Sequence, residues 1–218
     1  MHSSSPSLPC DHQRYRVRFR KGDDLRWIGH RDLVRAWERM VRRAGLTLRM
    51  SEGFHPKPKL MFPSALAVGI EGQAEVLELE LGPAVDPLVV QQRLQAEAPP
   101  GLEIFEVRAV APGQGKTQLR SMLYQFPVPF ECRSQVELAI QQLLASPHLW
   151  IEREGRPDPV DMRADLESLE LHEGVVRFRI RATHQASLRP RDVLQALGLA
   201  PLEQQGDFLI RCEVELTS

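Results

Sequence analysis

Cysteine is scarce: Cys10, Cys132 and Cys212 are an odd number, far apart, and never in a CxxC spacing. Such a set supports neither a disulfide framework nor a structural zinc or iron–sulfur site. Long apolar runs are missing too. The longest, Leu60 to Ile70, is broken by Pro63 and falls far short of the roughly 20 residues a bilayer span needs, so no membrane partner is expected. The start, MHSSSPSLPCDHQ, has no basic region followed by an apolar one; it reads as a disordered tail over residues 1–13 of a cytoplasmic protein. Aromatic residues make up 6%. No HExxH, Walker A, GxSxG or dinucleotide fingerprint occurs, and Gly113-Gln114-Gly115-Lys116 lacks the glycine spacing of a phosphate loop. The sequence therefore names no reaction by motif, and no metal or cofactor is expected in this chain.

What is present is a core and a lopsided charge. With 218 residues, 42% hydrophobic and 26% charged, the chain is long enough for one or two globular domains without staples. The formal net charge of -1 conceals a division: residues 14–59 hold fourteen Lys or Arg against five Asp or Glu. A basic segment of that density is the footprint of a surface that meets a polyanion, most often nucleic acid.

Arg14 to Arg20 alternates strictly, with Tyr15, Val17 and Phe19 on one face and four arginines on the other; that is a half-buried strand. From Arg31 to Ala44, Leu33, Trp37, Met40 and Val41 recur at helical spacing before Gly45, which predicts a helix with a glycine stop. Leu48–Met50, Leu60–Val68 and Val76–Leu81 read as strands, Pro87–Glu97 as a helix opened by Asp86, and Leu102–Val110 as a strand. After the linker at 111–119, Met122–Phe130, Glu131–Ala145, Leu149–Arg153, Val175–Arg181, Pro190–Leu197 and Phe208–Leu216 repeat a strand and helix order. The expectation is an α+β protein of tandem ferredoxin-like βαββαβ units with antiparallel sheets, one over 14–110 and one over 120–218.

Four candidate sites follow. The strand arginines repeat at roughly 6.5 to 7 Å, close to a phosphate repeat, but Glu75, Glu78 and Glu80 are placed to neutralise them across strands. Arg31, Arg35, Arg39 and Arg42 form a second stripe on the helix, with few local counter-charges. Ser51 to Lys59, SEGFHPKPK, combines Gly53 with Pro56 and Pro58 and pre-orders Phe54, His55, Lys57 and Lys59 for phosphate contact and base stacking. His30 and His55 are the candidates for acid–base work near neutral pH.

The residues that carry a resemblance are Arg14 to Arg20 with Gly22 and Asp24-Leu25-Arg26, Gly29-His30-Arg31-Asp32-Leu33, Arg42-Arg43-Ala44-Gly45, Ser51 to Pro58, and Pro63 to Gly69. Here the chain resembles the bacterial radical-SAM-linked proteins, a domain fused to a radical-SAM protein or encoded beside one. The resemblance is strongest over residues 14–110, with echoes at Asp161-Met162-Arg163 and Leu188 to Leu194. It implies a radical-SAM partner that would bring the iron–sulfur cluster and SAM, leaving this chain without a cofactor. The expectation is an RNA-binding accessory protein, itself non-catalytic, that presents tRNA or rRNA to a modification enzyme. A docking module that touches no RNA and a metal-independent endoribonuclease using His30 and His55 stay open beside it.

Overall fold

A computed structural model of the chain describes residues 12–152, 158–183 and 188–217; the expected tail at 1–13 lies almost wholly outside them. Two compact units are present, one up to Val68 together with Val76–Lys116, the other Gly69–Glu75 together with the chain from Thr117. The chain is mixed α+β, with strands that pair mostly antiparallel.

The first unit runs β1 (Gln13–Lys21), a 3-10 turn (Asp23–Trp27), α1 (His30–Arg43), β2 (Leu60–Met61), β3 (Glu71–Leu81) from Val76 onward, α2 (Pro87–Ala96) and β4 (Leu102–Ala109). Its strand order is β4-β1-β3-β2, with β1 antiparallel to β4 and β2 antiparallel to β3. Alternation in β1 sends Tyr15, Val17 and Phe19, all fully buried, into one core with Leu33, Trp37, Met40 and Val41 of α1 and Val90 and Leu94 of α2. Phe19 meets Trp37 edge-on, with ring centroids 5.0 Å apart. Burying each such ring contributes about 1.5–3 kcal/mol, so the apolar pattern orients the sheet and fixes the opposite face as the charged one. The Asp86 carboxylate accepts the Leu88 N–H at 2.8 Å and opens α2, while Gly45, at φ +66°, ends α1.

Several sequence expectations are corrected here. Of the strand expected over Leu60–Val68 only Leu60–Met61 pairs, because Pro63 has no N–H to give a ladder. Leu48–Met50 holds only single bridges, Leu48 to Leu81 and Met50 to Pro58. Gly69–Glu75 joins the second unit instead of the first.

The second unit contains β5 (Leu119–Pro127), α3 (Arg133–Ala145), β6 (Trp150–Ile151), β7 (Val160–Asp161), β8 (Leu166–His172), β9 (Val175–Arg181), α4 (Pro190–Ala196), α5 (Ala200–Gln204) and β10 (Ile210–Leu216). Its order is β10-β5-β9-β8, and Ile210 and Arg211 pair in parallel with Glu71 and Gly72 at the start of β3. Tyr124 stacks on Phe178 at 5.5 Å. Of the strand expected at Leu149–Arg153, Trp150–Ile151 pairs with β7 among the described residues, and Arg153 lies outside them. Strand β8 was absent from the sequence expectation: a register shift between Leu166 and Ser168 breaks its alternation.

Candidate nucleic-acid interface

The charged face of β1 is a closed ladder. Arg16 donates through Nε and Nη2 to Glu78 Oε1 at 3.1 and 3.0 Å, and Arg14 Nε lies 3.9 Å from the other oxygen. Covered by these two guanidiniums, the Glu78 side chain is only 2% exposed. Arg18 faces Glu106 at 3.8 Å, and Arg20 reaches Glu103 at 3.0 Å and Asp23 at 3.6 Å. Arg14 also donates to the carbonyls of Gln114 and Gly115, at 2.5 and 2.9 Å. The strand arginines are therefore engaged within the first unit. Glu80 takes Arg49 at 3.5 Å and Lys59 at 3.0 Å instead of a strand arginine.

Glu75 belongs to a different arrangement, inside the second unit. It accepts from Arg211 Nε at 2.7 Å and from Arg211 Nη2, with both residues at most 2% exposed. Burial pushes the neighbouring Tyr124 hydroxyl above its ordinary pKa, against the opposing pull of Arg211.

Helix α1 differs from the strand. At about 100° per residue, Arg31, Arg42, Arg35 and Arg39 fall within roughly 80° of one another, opposite the buried Leu33, Trp37, Met40 and Val41. All four arginines are exposed. Among the described residues Arg35 has one ion pair, to Asp32 at 3.4 Å, with both side chains about two-thirds exposed (68% and 65%); such a pair is worth little. Arg43 is tied to the Glu97 carboxylate at 2.9 Å and to its carbonyl at 2.8 Å. Arg31, Arg39 and Arg42 have no ion pair among the described residues. From Arg31 to Arg42 the row spans about 16 Å at 1.5 Å per residue.

The loop after it is closed on itself. Ser51 N–H donates to the Lys57 carbonyl at 2.8 Å, and the Lys57 N–H donates to Ser51 Oγ at 2.9 Å. Gly53 turns the chain at φ +117°, a conformation glycine accepts freely. Phe54 stands fully in solvent at 102% relative exposure, with His55 and Lys57 also exposed. Lys59, expected among the phosphate contacts, donates to Glu80.

The histidine pair is not assembled. His30 opens α1 and sets its ring edge-on to Phe62 at 5.2 Å, with Nδ1 buried and unpartnered, whereas His55 is on the exposed loop. No hydrogen bond or ring contact joins them among the described residues.

Sequence reasoning missed a His–Asp pair in the second unit. His148 Nδ1 lies 2.7 Å from Asp161 Oδ2, and Asp161 Oδ1 accepts the backbone N–H groups of Leu149 and Arg163 at 2.9 and 3.0 Å. The hydrogen bond with His148, then these two backbone donors, lower the Asp161 pKa to about 2. His148 stacks on Trp150 at 5.2 Å. Nothing in a thirteen-residue separation announces such a pair; the β6–β7 hairpin makes it. Among the described residues no three His, Cys, Asp or Glu side chains converge as metal ligands, and no helix is long and apolar enough to cross a membrane.

An α+β chain with a self-neutralised strand face and a row of exposed arginines on one helix is the class these observations define. The chain belongs to the bacterial family described as "Uncharacterized protein conserved in bacteria (DUF2344)", whose profile matches residues 14–190. Among curated proteins, no relative matches. Two solved structures are similar over most of their length. An "Unknown Protein from Galdieria sulphuraria" is 14% identical, with 95% of this chain and 99% of that one covered and a TM-score of 0.27. A "putative glycine cleavage system transcriptional repressor" is 8% identical, with 95% and 98% covered and a TM-score of 0.26. Likenesses at this level carry no argument about fold or function.

Proposed function

We propose that the chain is an RNA-binding accessory protein, non-catalytic itself, in a radical-SAM RNA-modification system. The observation that carries the RNA half is the row of Arg31, Arg39 and Arg42, exposed on one face of α1 and without a carboxylate partner among the described residues. With Arg35 beside them, four guanidiniums on one rigid helix position a phosphate backbone, and phosphate contacts fix register without reading sequence. The pre-ordered loop adds an exposed ring, Phe54, on which a base can stack, and an ammonium at Lys57. The radical-SAM half rests on the sequence resemblance alone. Both units also present strands in an order that places the first and third at the centre, which supports the ferredoxin-like reading of the fold.

The test is the salt dependence of binding to a short single-stranded RNA, followed by fluorescence anisotropy. Each phosphate neutralised contributes about 0.7 to the slope of log K against log salt. Replacing Arg31, Arg39 and Arg42 by Ala should reduce that slope by about 2; an unchanged slope would remove the proposal.

A further inference from the structure

Beside the arginine row lies a hollow of about 240 Å³, lined by Leu25 and Ile28 from the turn before α1, Ala36 on α1 and Pro99 after α2, with Asp32, Arg39 and Arg43 as its charged members. Its accessible wall is almost wholly apolar. This is smaller than the roughly 300–1,000 Å³ of drug-sized sites and suits one planar ring. Two of the charged groups can accept a ligand: among the described residues Arg39 has no ion pair, and Asp32 meets only the exposed Arg35 at 3.4 Å. Arg43 is held by Glu97.

An occupant must thus offer an apolar face, an anion for Arg39 and an N–H donor for Asp32. A nucleotide has all three in one unit when its base carries an exocyclic amine; the single N3–H of uracil lies between two carbonyl oxygens that the Asp32 carboxylate repels. An acidic peptide with an apolar anchor also fills the hollow and meets Arg39, but the exposed row of Arg31, Arg35 and Arg42 beside it matches a chain with an anion at every unit, as RNA has. We infer that the hollow is a pocket for one unstacked, amino-bearing nucleobase, adenine, cytosine or guanine, from the strand whose phosphates lie along α1. The inference rests on the RNA reading above and adds what that reading lacks: a preference for a base out of its stack, as protein readers of RNA loops and bulges have. Arg39 takes the adjoining phosphate, the ring enters between Ile28, Ala36 and Pro99, and the amine donates to the Asp32 carboxylate.

The full chain is titrated against three hairpin RNAs, identical except for a single bulged adenosine, a single bulged uridine, or no bulge. The expected order is adenosine bulge first, by about fivefold or more over uridine, the low end for one base-edge contact. Asp32→Ala should erase the difference between the two bulges, and Ala36→Leu, which fills the hollow, should bring the adenosine bulge down to the unbulged duplex. Equal binding of all three RNAs by the wild-type chain, with steep salt dependence retained, overturns the pocket and leaves the phosphate row standing. Absence of salt-dependent binding to any of them overturns both. Displacement of the bulged RNA by an acidic leucine-containing peptide, lost in Ala36→Leu, overturns the nucleobase assignment in favour of a protein segment.

Discussion

Glu78→Gln separates the two arginine sets. The carboxylate it replaces is 2% exposed, and its partners Arg16 and Arg14 are only about a quarter exposed, at 26% and 22%. The substitution keeps the side chain's size and a hydrogen-bond acceptor but removes the charge that holds two guanidiniums over a buried group. Hydrogen bonds to charged groups contribute about 1.5–3 kcal/mol, and the partial exposure of the arginines lowers this, so a loss of roughly 1–3 kcal/mol in urea unfolding is expected. RNA binding should respond differently. The ladder occupies the face of β1 opposite Tyr15, Val17 and Phe19, whose side chains pack under α1, so loosening Arg14 and Arg16 from residue 78 puts no new cation beside Arg31, Arg39 and Arg42. The salt slope should stay within error of wild type. A slope steeper by about 0.7 or more, the increment of one added phosphate contact, would show that RNA lies on the strand face and refute the assignment to the helix. An unchanged urea midpoint would refute the claim that the ladder stabilises the unit.

Other expectations concern the second unit. Glu75→Ala leaves the Arg211 guanidinium buried without its carboxylate and should cost about 3–5 kcal/mol in urea unfolding, whereas Glu75→Leu with Arg211→Met should recover most of it; equal losses from both would contradict a charge origin. Asp161, lowered to about 2 by His148 and two backbone N–H groups, favours the folded state above its unfolded pKa of about 3.8, and that contribution disappears as pH falls through about 2. Its carboxyl carbon should titrate near 2 by NMR and move upward in His148→Ala. Burial raises the Cys212 thiol to about 11 from 9.0, so at pH 8 its thiolate fraction is roughly 100-fold below that of an ordinary thiol. Peptide-resolved alkylation should find it the slowest cysteine to react.

Elements whose apolar spacing decides their burial were legible in the sequence. The alternation of Tyr15, Val17 and Phe19 and the helical spacing of Leu33, Trp37, Met40 and Val41 predict β1 and α1, which the structure places at Gln13–Lys21 and His30–Arg43. Elements set by non-local pairing were not. The short β6–β7 hairpin and the parallel pairing of Ile210 and Arg211 with Glu71 and Gly72 depend on partners far along the chain, and β8 hides its period behind a register shift. The same division holds for charge. That carboxylates would neutralise β1 was readable from Glu78 on a neighbouring strand, but the use of Glu75 by Arg211 and of Glu80 by Lys59 and Arg49 was not, because alternation gives the face of a side chain and not its partner.

That difference explains why function concentrates on α1. A strand in a sheet has neighbours on which acidic residues can stand directly opposite, at about 5 Å; here Glu106 and Glu103 stand opposite Arg18 and Arg20, and Glu78 of β3 reaches Arg14 and Arg16. The outermost face of a helix draws chiefly on its own turns. Between Arg31 and Arg42 those turns supply Asp32 and Glu38, and Asp32 reaches Arg35 alone. Adding a carboxylate one turn from Arg39, as in Ala36→Glu, should therefore weaken RNA binding and flatten its salt slope more than the same charge placed at Gln91 of α2, with anisotropy as the measure. Equal effects at the two sites would mean that only the net charge of the chain counts, and the helix row would lose its claim to be a site.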